Sequence, residues 1–242
     1  MVVCIIQARM GSTRLPGKVL QSVVGKTFLE HLVDRVKVAE TIGSIVVATS
    51  ELVLDNPISQ LCEEIGCECF RGSEKDVLDR YYQAASKYNA EIIVRITADC
   101  PLIDPWLVDD IVNFYTANNS NVDLVTNRFP LTFPDGLDVD VFSFSALEVA
   151  WNYARTDYQR EHVIPFFWEE GHRVLNYESD ENLFQKYRWT VDYIEDAILV
   201  KKIFEALYRS ESTFSYGEVI DFLRKNPSLS KLNSKYIPPV VE

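Results

Sequence analysis

The feature that most constrains the fold lies at the start of the chain, where the apolar run VVCII ends abruptly in a loop of unusual composition. The segment IIQARMGSTRLPGK (5–18) holds two glycines, two small hydroxyl residues, a proline and the cations Arg9, Arg14 and Lys18. A buried strand that feeds such a loop places free backbone N–H groups beside positive charge, which suits a triphosphate. We interpret the segment as a phosphate-binding loop; a solvated loop with scattered cations is the alternative.

The loop differs from two common nucleotide-binding loops. A Walker A loop has four residues between its glycines, followed by Lys and then Ser or Thr. Here five residues separate Gly11 from Gly17, and Lys18 is followed by Val19. The GxGxxG fingerprint is absent as well, because it needs a third glycine between these two. The spacing alone therefore assigns the loop to neither class.

Strand-like and helix-like segments alternate after the loop. Residues 27–40 place apolar side chains on one helical face, whereas SIVVATS (44–50) is a β-branched run typical of a strand covered on both faces. A helix at about 55–65 and the short strand CECF follow. This order predicts an α/β fold with a doubly wound, mostly parallel sheet, which binds ligands at the carboxyl ends of its strands. His31 falls on the polar side of the first helix and is predicted to lie at the surface.

Composition narrows the function classes. The 242 residues, 47% of them hydrophobic, suit a single α/β domain. No run of about eighteen apolar residues occurs, so no membrane span is expected, and the absence of an amino-terminal signal pattern favours a cytoplasmic protein. A net charge of −12 disfavours nucleic acid as a partner. The five cysteines lack paired CxxC spacing and are interpreted as reduced structural thiols.

An acidic residue follows the strand in EIIVRITADCPLIDP (91–105). Asp99 stands at the carboxyl end of a predicted central strand, where ligands bind, and a divalent cation would balance its charge. Asp104, before a proline, is better placed to cap the next helix. The same order recurs in RWTVD, where a predicted strand ends at Asp192 before a helix. Capping of that helix by Asp192 is the alternative to a ligand role.

The segment NRFPLTFPDGLDVDVFS (127–143) breaks the alternation, and we interpret it as an inserted lobe where an acceptor docks. Asp138 and Asp140 alternate with apolar residues, which suits either sugar hydroxyl groups or solvent. His162 beside Glu161 on a short helix can both donate and accept hydrogen bonds, so this pair is a candidate sugar contact or a structural pair. The aromatic run that follows, FFW, also suits the contacts of a homodimer.

The segment QARMGSTRLPGKVL closely resembles the amino-terminal signature of the cytidylyltransferase family that includes CMP-sialic acid and CMP-KDO synthetases, and most of all its spore-coat polysaccharide biosynthesis protein F branch. The resemblance continues through GSEKDVLDRY, DCPLI, PDGLDVDVF, REHV and TVDYIED to about residue 207. It implies a sheet of the nucleotide-diphospho-sugar transferase type. The whole chain, 1–242, is then one nucleotidyltransferase domain, with an acceptor and dimerisation lobe at about 127–185 and an irregular tail from about 226.

The resemblance also implies site roles. Nucleotide binding is expected at Ala8, Arg9, Gly11, Ser12, Arg14, Lys18, Gly72, Ser73 and Arg80. Sugar binding is expected at Asn127, Arg128, Asp138, Asp140, Glu161 and His162. The cofactor Mg²⁺ is expected on Asp99 and Asp192, with Lys18 and Arg14 as catalytic cations. Ser73 has a helix N-cap as its alternative role. Two departures stand out, namely Ala98 where the family's block has glycine and Tyr193-Ile194 where it has Thr-Pro.

The function implied is transfer of CMP from CTP to an acidic sugar with release of pyrophosphate, for surface polysaccharide biosynthesis. The residues themselves support only a triphosphate and a polar acceptor. A sugar-1-phosphate nucleotidyltransferase is one alternative, because Arg128, Arg155 and Arg160 could hold an acceptor phosphate. A glycosyltransferase is another, because DVD at 138–140 fits its DxD metal motif. A non-catalytic nucleotide-binding protein is the alternative from a different class.

Overall fold

The computed structural model describes residues 1–238, and its centre is a seven-stranded sheet. The strands are β1 (Val2–Gln7), β2 (Ser22–Val23), β3 (Lys26–Thr27), β4 (Ser44–Ser50), β5 (Glu68–Gly72), β6 (Ile92–Thr97), β7 (Leu124–Thr126), β8 (Asp140–Ser143) and β9 (Val174–Asn176). β2 and β3 form a small hairpin of their own. The other strands lie in the order β5-β4-β1-β6-β8-β7-β9.

Helices cover both faces of this sheet. They are α1 (Phe28–Val36), α2 (Asn56–Glu64), α3 (Val77–Lys87), α4 (Pro105–Asn118), α5 (Phe144–Tyr153), α6 (Asp157–His162), α7 (Pro165–Glu169), α8 (Ile194–Leu207), α9 (Tyr216–Lys225) and α10 (Pro227–Ser230). Within residues 1–238 no helix has both the length and the apolar character needed to cross a membrane.

The strand pairing explains where ligands can bind. β1 pairs in parallel with β4 and β6, and β4 pairs in parallel with β5. The carboxyl ends of these four strands therefore meet at one edge, with Gln7 opposite Thr97. β8 runs antiparallel to both β6 and β7. The predicted fold class, a doubly wound and mostly parallel sheet, is thereby confirmed.

The apolar run at the start of the chain is buried on both sides. Cys4 and Ile6 face one hydrophobic core, which includes residues of α1, α4, α8 and α9. Val3 and Ile5 face the other core, to which α3, α5 and α7 contribute. Because β1 has no solvent-facing side, its sequence is continuously apolar instead of alternating.

His31 is not at the surface, so that prediction is wrong. It is 2% exposed, its Nε2 donates to the Val23 carbonyl at 3.0 Å, and its ring stacks on Phe204 with 4.2 Å between centroids. Burial lowers the pKa of this imidazole. The helical pattern of α1 could not reveal that a distant helix, α8, covers its polar-looking side.

Two other local predictions are corrected and one is confirmed. The side chain of Asp76, not that of Ser73, caps α3, whereas Ser73 Oγ accepts from the Asp76 N–H. The predicted strand ending at Asp192 reduces to a single bridge between Asp135 and Arg188. Asp104 caps α4 as predicted, accepting from the Leu107 N–H at 3.0 Å.

The segment predicted as a lobe, 127–185, is joined closely to the sheet. It supplies β8, which lies between β6 and β7, and β9 at the far edge. It also supplies the short helices α6 and α7, which lie over the carboxyl edge near β6.

Candidate active site

A cavity of about 480 Å³ lies at the carboxyl ends of β1 and β6. Its polar lining is strongly charged. Seven cationic residues line it: Arg9, Arg14, Lys18, Arg80, Arg95, Arg128 and Arg188. Five carboxylates line it: Asp99, Asp135, Asp138, Glu161 and Asp192. Cations outnumber carboxylates here although the chain as a whole carries a charge of −12, so the cavity favours an anionic ligand.

The loop after β1 folds back on itself beside this cavity. The Met10 carbonyl accepts hydrogen bonds from the N–H groups of Ser12 and Gly17, at 2.9 and 3.0 Å. Gly17 has a φ of +68°, which favours glycine. The Met10 N–H donates to Asp55 Oδ1 at 2.7 Å, so the buried Asp55 anchors the loop. Sequence analysis missed Asp55, because its partner lies 45 residues away.

Lys18 lies between the two aspartates that the sequence assigned to a metal site. Its Nζ is 3.0 Å from Asp99 Oδ2 and 2.9 Å from Asp192 Oδ1. Burial disfavours the ammonium, but both carboxylates outweigh it and raise the pKa of Lys18. Burial likewise opposes ionisation of Asp99, but Lys18 and a hydrogen bond from Thr97 lower its pKa. Lys18 and Asp99 are therefore charged at neutral pH, and Asp192 contacts the same ammonium group.

Two arginines extend this ionic cluster. Arg188 contacts Asp135, and its Nη2 lies 2.9 Å from Asp192 Oδ2. Arg14 Nη2 lies 3.1 Å from the same Asp192 oxygen. Asp196, not Asp192, closes the first turn of α8, since Asp196 Oδ2 accepts from the backbone N–H groups of Asp192 and Tyr193. The alternative in which Asp192 caps this helix is therefore wrong.

The carboxyl-terminal segment packs against the same cluster. Arg14 Nη1 donates to the Tyr193 hydroxyl at 3.1 Å, and Tyr193 stacks on Tyr236 with 3.8 Å between ring centroids. Asn233, which is 1% exposed, donates to Asp196 Oδ1 at 2.7 Å. The segment predicted as an irregular tail contains α10 and a 3₁₀ turn at Ser234–Tyr236. Local sequence gave no sign that it would reach the site.

The donor set at Asp99 and Asp192 fits Mg²⁺. This ion uses one or two carboxylates and fills its other positions with water and substrate phosphates. Among residues 1–238 no group of three or more His, Cys, Asp or Glu side chains is arranged to hold a metal by itself. Burial and the charge of Asp138 raise the pKa of Asp135, which also lines the cavity, to about 7. The site thus suits a cation shared with a phosphate ligand.

The opposite wall holds some of the predicted nucleotide contacts. Ala8, Arg9, Ser12 and Arg80 line the cavity together with Arg14 and Lys18. Arg80 Nη1 donates to the Ser73 carbonyl at 2.8 Å. Gly11, Gly72 and Ser73 do not line the cavity. A Cβ on Gly72 would lie 3.0 Å from the Phe70 ring and 3.3 Å from Arg80 Cγ, so the 72–73 segment positions Arg80 instead.

The predicted acceptor residues divide into two groups. Arg128, Asp138, Glu161 and His162 line the cavity. Asn127 and Asp140 lie behind its wall, which corrects their assignment as direct sugar contacts. Asn127 bonds the backbone of Leu137 and Val139. Asp140 opens β8 in the middle of the sheet, is fully buried and accepts from Arg95 and Thr126, each at 2.7 Å.

His162 is presented to the cavity by a strained turn. The next residue, Val163, is fully buried with φ 69° and ψ −66°, and the Ile164 N–H donates to the His162 carbonyl at 2.8 Å. These values describe a γ-turn that β-branched residues rarely adopt. Burial lowers the pKa of His162, and Arg95 and Arg128 lower it further. The imidazole is therefore neutral at pH 7.

Arg95 and Trp168 are cavity residues that sequence analysis missed. A signal for Arg95 was present, because an arginine inside the apolar strand IIVRIT must find a partner when buried. Trp168 stacks on Phe129 with 5.7 Å between centroids, and its place beside the cavity depends on how α7 packs.

This combination of sheet, cationic loop and converging aspartates defines a nucleotide-using transferase. Residues 3–220 match the family model described as cytidylyltransferase, and the chain belongs to that family. It is accordingly a nucleotidyltransferase. The membership predicted from the sequence signature is confirmed.

Individual relatives agree with this assignment. The chain is 40% identical over 239 residues to an uncharacterized protein of Methanocaldococcus jannaschii, covering 96% of this chain and 94% of the relative. It is 32% identical over 234 residues to the spore coat polysaccharide biosynthesis protein SpsF of Bacillus subtilis, covering 93% and 95%. It is 35% identical over 113 residues to a 3-deoxy-manno-octulosonate cytidylyltransferase of Geobacter sulfurreducens, covering 46% and 44%. The structure of a cytidylyltransferase from Leptospira borgpetersenii has a TM-score of 0.90 and 36% identity, covering 100% of this chain and 98% of that chain.

Proposed function

We propose that this enzyme transfers CMP from CTP to the hydroxyl group of an acidic sugar and releases pyrophosphate, in the biosynthesis of a surface polysaccharide. The observation that carries the proposal is the convergence of Asp99 and Asp192 on Lys18 beside the loop. Family membership supports the cytidylyl group. The names of the Bacillus subtilis and Geobacter sulfurreducens relatives support a sugar acceptor and a polysaccharide product.

The proposed reaction depends mainly on neutralisation of the phosphate charge and on the positions of the reacting groups. Asp99 and Asp192 would hold Mg²⁺, which when bound offsets the negative charge of the phosphates. Lys18 and Arg14 would exchange their carboxylate partners for phosphate oxygens and stabilise the charge that develops as the α–β bond breaks. An oxygen–phosphorus bond forms between the sugar hydroxyl and the α-phosphorus, and pyrophosphate leaves with the electrons of the broken bond.

The hydroxyl proton needs an acceptor on the sugar side. His162 is neutral at pH 7 by the direction of its pKa, and it lines the cavity together with Asp138 and Glu161. We assign to His162 the contact with the attacking hydroxyl, for which a neutral imidazole can accept a hydrogen bond or the proton itself.

The contacts of the candidate residues argue against two alternatives. Of the three arginines that could form an acceptor phosphate site, only Arg128 lines the cavity. Arg160 instead holds Asp76 through Nε and Nη2 and the Trp151 carbonyl through Nη1. A glycosyltransferase DxD site at 138–140 is disfavoured because Asp140 is fully buried against Arg95.

The direct test is turnover across the four nucleoside triphosphates. Purified protein with Mg²⁺ is incubated with CTP, ATP, GTP or UTP and a panel of acidic sugars, and products are identified by mass spectrometry. We expect a CMP-sugar and pyrophosphate, with CTP preferred, and no product after chelation of the metal. Nucleotide binding without turnover of any acidic sugar would instead support a binding protein.

A further inference from the structure

Arg95 carries a hydrogen-bonding capacity that the described chain does not use. It lies in β6, is 4% exposed and lines the cavity. Its Nη1 donates to Asp140 Oδ2 at 2.7 Å. Its Nε is buried and has no hydrogen-bond partner within residues 1–238. Buried polar groups are nearly always bonded, so an orphan donor beside a cavity indicates a missing acceptor.

Asp140 fixes the direction in which Arg95 presents this donor. Thr126 Oγ1 donates to Asp140 Oδ1 at 2.7 Å, and Arg128 Nη1 lies 3.8 Å from Asp140 Oδ2. The carboxylate is therefore held from two further sides while it binds Nη1 of Arg95. The other edge of the guanidinium, formed by Nε and Nη2, remains for a ligand. That edge matches the two oxygens of a carboxylate.

The cavity wall around Arg95 carries positive charge, as binding of an anion requires. Burial lowers the pKa of His162, Glu161 opposes this, and Arg95, Arg128 and Arg9 lower it further, so three cations act on this wall beside one carboxylate. The Asp138 carboxylate is already engaged, with Arg128 Nε 3.1 Å from its Oδ2. Lys18 and Arg14, by contrast, belong to the cluster around Asp99 and Asp192.

We propose that the free edge of Arg95 binds the carboxylate of the acceptor sugar, and that Asp140 is the positioning residue that orients it. The inference rests on the proposed function and deepens it, because it assigns the selectivity for an acid to one side chain. A neutral sugar would leave the buried Nε without an acceptor, at a cost to its binding. A phosphate can bind the same edge through two of its oxygens, so the test includes a phosphate arm that distinguishes the two anions.

The test compares acids with their neutral counterparts. The probes are 3-deoxy-manno-octulosonate, N-acetylneuraminate and shorter 2-keto-3-deoxy acids, each paired with its C1 amide, and glucose 1-phosphate as the phosphate arm. Binding is measured by calorimetry without nucleotide, and KM and kcat are measured with CTP and Mg²⁺. We expect at least one acid to bind about tenfold or more tightly than its amide. Arg95→Lys, which keeps the charge but loses the fork, should abolish that preference and leave KM for CTP within about twofold.

The controls separate folding from recognition. If Arg95→Lys fails to fold, the double variant Arg95→Met with Asp140→Asn takes its place. Both members of the ion pair are then neutral, so this protein should fold and should lack the preference for acids. Arg173→Met, an exposed arginine paired with Asp123, should retain the preference. Equal binding of every acid and its amide, or a preference that survives Arg95→Lys, would overturn the inference. If glucose 1-phosphate is preferred and this preference depends on Arg95, the ligand of the arginine would be a phosphate instead of a carboxylate. Failure of wild-type protein to bind CTP would count against the proposed function alone.

Discussion

The two ends of the cavity use charge differently. At the phosphate end, Lys18 already contacts two carboxylates, and Arg14 contacts one of them. At the acceptor end, Arg95 is held by Asp140 but keeps an unused donor, and His162 is followed by a strained turn. The Lys18 and Arg14 charges at the phosphate end are neutralised by ion pairs, whereas Arg95 at the acceptor end has a donor without a partner within residues 1–238.

This difference teaches what each end must do when substrates bind. In the proposed reaction the phosphate end exchanges partners, because its cations are released to contact phosphate when its carboxylates receive a metal ion. The acceptor end needs no exchange, because a ligand can satisfy Arg95 without displacing Asp140. We therefore expect substitutions at the phosphate end to reduce the chemical step, and substitutions at the acceptor end to change the apparent affinity for one substrate.

The largest effect is expected from Lys18→Ala. Removal of a well-placed charge should lower turnover about 10²- to 10³-fold, measured as pyrophosphate release with saturating acceptor. The variant also leaves Asp99 and Asp192 facing each other without the ammonium, so added Mg²⁺ should raise its Tm more than that of the wild type. Lys202→Ala, at an exposed position on α8, is the control. Near-normal turnover in Lys18→Ala would remove the residue from the mechanism.

A smaller and more selective effect is expected from His162→Gln. The amide keeps one hydrogen bond but cannot take a proton at neutral pH, so kcat/KM for the acceptor should fall about tenfold or more. KM for CTP should stay within about twofold, because the predicted nucleotide contacts lie on the other wall. Equal losses for both substrates would contradict the separation of the two ends. Steady-state kinetics with each substrate varied in turn measures this.

The same contrast explains how much of the molecule the sequence could predict. Alternating strand and helix patterns were sufficient for the fold, and the run SIVVATS was placed at the observed bounds of β4, Ser44–Ser50. Local composition also singled out the loop and Asp99, because both stand at strand ends. Patterns of this kind report on neighbours in sequence, whereas the meeting of Lys18 with Asp99 and Asp192, 81 and 174 residues away, depends on the fold.

The acceptor end depends on contacts that no local pattern contains. Asp140 was expected to face the sugar, but its strand lies between two others and it faces Arg95 instead. Arg95 interrupts an apolar strand, but its partner Asp140 lies 45 residues away in the sequence. Tyr236 reaches Tyr193 across 43 residues of sequence, in a stack that no spacing rule predicts. Charge and periodicity in the sequence were sufficient to locate the site. The direction of each side chain could be known only from the folded structure.

The strain beside His162 can be tested through stability. Glycine adopts a positive φ freely, whereas alanine at position 163 would keep the strain and lose most of the buried side chain. We expect Val163→Gly to be more stable than Val163→Ala by about 1 kcal/mol in urea unfolding. In the helical control, Val112→Gly should be less stable than Val112→Ala by about 1 kcal/mol. The same order at both positions would show that Val163 stores no strain.

The smallest effect concerns Asp135, which joins the two ends by contacting Arg188 while facing the charge of Asp138. Burial, followed by Asp138, raises its pKa from 3.8 to about 7. Between these values the unfolded chain has lost the proton that the folded protein keeps, so this group makes stability fall as pH rises through the window. Below pH 4 Asp135 is protonated in both the folded and the unfolded protein, and its full contribution to the free energy of unfolding is present.

Asp135→Asn removes this titration. At pH 5 the folded wild type keeps Asp135 protonated and neutral, so the variant should have a similar Tm there, and its Tm should decline less than that of the wild type between pH 5 and pH 8. Asp221→Asn, at an exposed position on α9, should follow the wild type. Saturating Mg²⁺ without nucleotide should reduce the wild-type decline, because positive charge at Asp99 and Asp192 favours the ionised form of Asp135. Parallel Tm curves for wild type and Asp135→Asn without ligands would mean that Asp135 does not titrate between pH 5 and pH 8.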